Sequence, residues 1–78
     1  MDERIRKIMA AVFQLDLSLI NDESSSDNIE SWDSLKHINM IIALEEEFNV
    51  QFGDDDVMGM LNFKLIKLLI KEKIEAKS

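Results

Sequence analysis

Proline is absent from this chain and glycine stands only at Gly53 and Gly59. With no helix breaker to divide it, segment boundaries must come from polar clusters. Between those clusters, apolar residues recur at helical spacing. Ile5, Ile8, Met9, Val12 and Leu15 predict a first helix over about 3–15, with Asp2 as its N-cap. Asp33 is placed to cap a second helix from about Ser34 to Phe48. There Met40, Ile41, Leu44 and Phe48 share one side, and His37 points with them. Leu35 and Ile42 fall nearly opposite, beside Asn39 and Glu46, and are expected to face solvent. Asp54, Asp55 and Asp56, flanked by Val50, Phe52, Val57, Met60 and Leu61, can open a short helix near about 55–60. Asn62 then caps a last helix over about 63–76. In it Phe63, Ile66, Leu69 and Ile70 face inward, and Lys64, Lys67 and Lys71 form a basic stripe. No segment alternates as a strand would. The expected fold is all-α: a small four-helix bundle of three main helices and one short one, in a single domain over 1–78.

Residues 16–33 have no sustained period. Asp22 to Asn28 reads as a solvated loop, anchored on the core by Leu17, Leu19, Ile20, Ile29 and Trp32. A connection this long in a 78-residue chain has a packing or functional reason. Met9, Met40, Met58 and Met60 read as adaptable core filler that could yield to a guest chain.

Charge narrows the range of functions. Residues 16–56 hold twelve acids and one base, Lys36, whereas residues 1–15 sum to +1 and residues 57–78 to +3. An anionic field of this kind repels nucleic acid and anionic lipid and attracts proteins with basic patches. No nucleic-acid or membrane partner is therefore expected. Cysteine is absent and His37 is the only histidine, so thiolate sites and sites needing two imidazoles are excluded. No membrane-length apolar run or secretory h-region is visible, which makes the cytoplasm the expected compartment. So short a chain rarely encloses a catalytic pocket, which favours a monomeric binding or carrier protein over an enzyme.

The sharpest local feature is Asp33-Ser34-Leu35 at a helix start, after a long acidic loop. Ala43-Leu44-Glu45-Glu46-Glu47-Phe48 follows about three turns later. With the flanking helices, this order resembles the acyl carrier protein family over nearly the whole chain. The resemblance implies that Ser34, flanked by Asp33 and Leu35, receives a 4'-phosphopantetheine arm derived from coenzyme A. The arm would hold acyl or aminoacyl groups as thioesters, and the protein itself would catalyse nothing. A first-turn serine suits an attached phosphate, because free backbone N–H groups and the positive dipole end converge there. The resemblance also implies docking through Leu35, Ile42, Glu45 and Glu46. The implied partners are a phosphopantetheinyl transferase and the loading and processing enzymes of fatty-acid, polyketide or related biosynthesis. Lys36 and Asn39 stand where fatty-acid carriers typically have acids. The run Trp32-Asp33-Ser34-Leu35-Lys36-His37 looks more like stand-alone carriers of specialised pathways.

Each feature also has a plainer reading. Ser34 alone could be an ordinary first-turn residue, and Glu45 to Glu47 a solvated face. His37 reads as a packed or capping imidazole rather than a base or ligand. Asp54 to Asp56 reads as helix-start chemistry, with a weak calcium site the remote alternative and no metal expected. The rival to the carrier is an unmodified acidic helical adaptor that only docks basic proteins.

Overall fold

The structure is a computed structural model that describes residues 1–77; Ser78, the last residue of the expected domain, lies outside the described residues. Helix α1 spans Asp2–Phe13, α2 Ser34–Phe48, α3 Asp54–Gly59 and α4 Phe63–Lys77, with a 3-10 turn at Leu17–Leu19. Among the described residues there is no strand, only an isolated bridge between Ser25 and Asn62. The fold is a helical bundle of three long helices and one short one.

Two of the predicted starts hold. The Asp33 carboxylate accepts the Lys36 N–H at 2.8 Å, and the Asn62 side-chain oxygen accepts the Leu65 N–H at 2.8 Å. The start of α1 differs, because Met1 occupies the cap position and Asp2 lies in the first turn. There Asp2 pairs with Lys67 of α4 at 3.1 Å instead of capping. The end of α1 differs too. Gln14 turns left-handed (φ 58°) and the Leu15 N–H bonds back to the Ala10 carbonyl, so Leu15 leaves the helix. Asn49 ends α2 the same way (φ 54°), with the Val50 N–H on the Glu45 carbonyl. With glycine so scarce, polar residues take the left-handed position that usually falls to it.

The core draws Ile5, Met9 and Phe13 from α1, Met40, Ile41, Leu44 and Phe48 from α2, and Phe63, Ile66 and Ile70 from α4. Ile20, Ile29, Val50 and Met60 add to it from the connections. Burying each large side chain contributes about 1.5–3 kcal/mol before conformational entropy is counted. Phe13, not among the apolar positions read from the sequence, is one of the largest fully buried side chains. Two expected core residues lie outside: Leu19 is 58% exposed and Met58 is 74% exposed. The 3-10 turn presents Leu19 outward and keeps Ile20 inside. Met58 sits on α3, none of whose residues is fully buried.

The long connection is docked rather than simply solvated. Ser24 is 3% exposed. Its hydroxyl accepts the Asn21 N–H, and its carbonyl accepts the Phe63 N–H at 2.9 Å. The Ser26 N–H donates to the Leu61 carbonyl at 2.9 Å, and the Ser31 hydroxyl to the Phe13 carbonyl at 2.9 Å. Asn28 closes the loop on itself, accepting the Ser25 N–H and donating to the Glu23 carbonyl. Buried backbone groups need partners, and a serine- and asparagine-rich loop supplies them without regular structure.

The basic ends of the chain fold onto its acidic middle. Arg4 bonds the Glu47 carboxylate at 2.7 Å and lies 4.4 Å over the Phe48 ring, while Lys73 meets Asp56 at 3.0 Å.

Candidate functional site

The site is the head of α2. Asp33 is extended (φ −113°, ψ −178°), and its carbonyl accepts the His37 N–H at 2.8 Å, so it anchors the first turn through side chain and backbone alike. Ser34, the first helical residue, is exposed, and its hydroxyl has no partner among the described residues. The N–H groups of a helix's first residues lack intrahelical acceptors, so an anion attached at this hydroxyl meets unpaired donors and the positive dipole end. Leu35, beside it, is 70% exposed.

Trp32 and His37 brace this head from below. The Trp32 ring stacks on Phe13 with centroids 4.6 Å apart, and its Nε1–H donates to His37 Nδ1 at 3.0 Å. Because Nδ1 accepts, the ring proton sits on Nε2, which donates to the Val57 carbonyl of α3 at 2.7 Å. Both imidazole nitrogens are occupied, so His37 is the packed, bonded residue expected and no base for Ser34. Ser26, Trp32, Asp33, Ser34, His37, Ile38 and Leu61 line an open cleft of about 420 Å³ beside the serine.

The outward side of α2 carries exposed Leu35 and Ile42 as expected, and between them Ile38, which is 47% exposed. Ile38 was legible, since it stands three residues after Leu35 and four before Ile42. The acids after them divide by environment. Glu46 is exposed, whereas half-buried Glu45 accepts the Phe52 N–H at 2.9 Å and Glu47 is held by Arg4. Ile42, Glu45 and Glu46 share a broad cleft of about 710 Å³ with Lys73 and Ala76 of α4.

Two carboxylates are held below their ordinary range. Asp56 is lowered first by its hydrogen bond from Lys73 and then by the Gly53 N–H. Asp16 is lowered by the backbone and then the side chain of Ser18. Asp56 is thus engaged in holding α3 to α4, and no cluster of three metal-binding side chains occurs among the described residues. No described helix is long and apolar enough to cross a membrane.

No protein-family model matches the sequence. The fold is similar to the solution structure of a holo acyl carrier protein from Geobacter metallireducens, with a TM-score of 0.85 and 28% identity. The likeness covers 97% of this chain and 87% of that one. Helix order, the long docked loop and the short third helix agree with the resemblance read from the sequence. The chain thus has the fold of an acyl carrier protein, that of a carrier rather than an enzyme, as the resemblance implied.

Proposed function

We propose that Ser34 carries a 4'-phosphopantetheine arm and that the protein presents acyl or aminoacyl cargo to successive enzymes of a fatty-acid, polyketide or related specialised pathway. The observation that carries this reading is the exposed, unpartnered Ser34 hydroxyl at the capped start of α2. In the loading step a phosphopantetheinyl transferase joins Ser34 Oγ to phosphorus as the phosphoanhydride of coenzyme A breaks. The nucleotide 3',5'-bisphosphate leaves, and the hydroxyl proton passes to the transferase or solvent. The arm supplies the thiol that this cysteine-free chain lacks. Asp33 fixes the helix start, the first-turn N–H groups face the phosphate, and Ile38 and Leu61 offer apolar surface to the arm. Leu35, Ile42, Glu45 and Glu46 form the docking side for enzymes with basic patches, and the protein works as a cytoplasmic monomer in one domain.

Incubation with coenzyme A and a broad-specificity transferase, read by intact mass, tests this. One phosphopantetheine adduct on the native chain and none on Ser34→Ala is the expected result. An unmodified native chain would leave only the adaptor reading.

A further inference from the structure

The hydrogen-bonded link from Trp32 through His37 to Val57 crosses from the α1–α2 connection to α3 immediately beside Ser34. We propose that this link is a latch that determines cargo: it keeps the group on the arm outside the bundle, and so suits the protein to short or polar acyl and aminoacyl groups. The inference rests on the carrier reading of Ser34.

An apolar group hung from Ser34 has two places to shed water: the open cleft of Trp32, His37, Ile38 and Leu61, or the interior between α2 and α3. The second route is barred by chemistry as well as by shape. His37 spans the seam with both nitrogens bonded, at 3.0 and 2.7 Å. Entry of a chain there would break both bonds and leave the half-buried Trp32 N–H, Val57 carbonyl and imidazole against an apolar guest in place of their partners. Behind the seam, Met40, Leu44, Met60 and Phe63 are already buried to 1% exposure or less. A guest would have to displace close-packed side chains in addition to breaking the link. The cleft outside demands neither change. Its walls, Ser26, Asp33 and Ser34 beside two aromatic rings and two aliphatic side chains, stay open to solvent, so a group resting there lies on the surface and is not enclosed. Helix α3 buries none of its residues fully, so this two-bond bridge, together with the Lys73–Asp56 pair, holds the seam closed.

The test uses the full chain loaded by a transferase from acetyl- and from decanoyl-coenzyme A. Cleavage of each thioester by hydroxylamine, followed by intact mass, reports its shielding, and Trp32, the only tryptophan, reports the latch by its emission. In the native protein the two thioesters are expected to be cleaved at equal rates, with the same Trp32 emission in both forms. His37→Leu removes both bonds, and should slow decanoyl cleavage about tenfold while leaving acetyl cleavage unchanged. His37→Gln offers one donor and one acceptor and should restore equal rates, which a merely space-filling role for His37 would not predict. Decanoyl cleavage about tenfold slower than acetyl cleavage in the native protein would overturn the latch. Equal rates in a helical His37→Leu variant would overturn it too. Should that variant unfold, the native comparison decides. A native chain that gains no mass overturns the carrier reading and the latch together, whereas a loaded chain with a shielded decanoyl group overturns the latch alone.

Discussion

Helices α2 and α4 are each 15 residues long, and each starts on a side-chain oxygen that accepts the N–H three residues later at 2.8 Å. The residues after the two caps have opposite fates. Phe63 is buried, and its N–H is taken by the Ser24 carbonyl of the long loop. Ser34 and Leu35 stand in solvent with no other segment laid across them. The same capping chemistry therefore serves a structural start in α4 and an accessible one in α2. The loop decides which is which, by pairing Ser24 and Ser26 with the chain around Asn62.

Substitution one residue past each cap gives the largest expected contrast. Ser34→Ala should abolish phosphopantetheine loading while leaving the melting temperature within about a degree or two, since nothing among the described residues bonds to its hydroxyl. Phe63→Ala should cost about 3–5 kcal/mol in a denaturant melt, a large share of the stability of a small domain. If Ser34→Ala were as damaging as Phe63→Ala, the contrast between the two starts would fail.

Removing the caps themselves sharpens the comparison. Asp33→Ala and Asn62→Ala should each cost about 1 kcal/mol. Only the first should also slow loading, because only its helix start carries the proposed attachment serine. Loading slowed equally by both would mean that general loosening, not local geometry, controls access.

Charge separates the two acids at the end of the proposed docking side. Glu46→Lys should slow loading without lowering stability, and added salt should slow the native reaction, since exposed charges are screened beyond about 8 Å at physiological ionic strength. Glu45→Lys should slow loading and destabilise as well, because it frees the Phe52 N–H. Loading rates indifferent to salt and to Glu46→Lys would remove electrostatic steering from the account.

The smallest effect is expected in acid. Folding lowers the Asp56 carboxyl below its ordinary value through Lys73, so the pair's contribution is complete above the unfolded value of about 3.9 and fades as pH falls through the lower folded value. Melting curves of native protein and Asp56→Asn should differ near neutrality and converge in strong acid. Curves parallel throughout would show that the pair does not stabilise the fold.

Much of this was legible because it is local. The bounds of α2, the Asp33 and Asn62 caps and the exposure of Leu35 and Ile42 follow from spacing within one helix. What escaped depends on partners distant in sequence. Ser24 is buried by backbone pairing with α4's first residue, and Asp2 is drawn to Lys67, 65 residues away. Leu19 and Met58 lie outside because a 3-10 turn and a shallow helix set their direction. At the site, the position of Ser34 could be read from the motif. The bridge from Trp32 to Val57 could not, since 20 residues separate His37 from its acceptor.

The central claim is that one helix start, and one serine, is the attachment point. The chain has seven serines, three of them consecutive in the loop at Ser24, Ser25 and Ser26. Fragmentation mass spectrometry of the transferase-loaded protein can locate the adduct to a residue. The account predicts phosphopantetheine on Ser34 and on no other serine; an adduct on Ser31 or within Ser24–Ser26, with Ser34 unmodified, would contradict it.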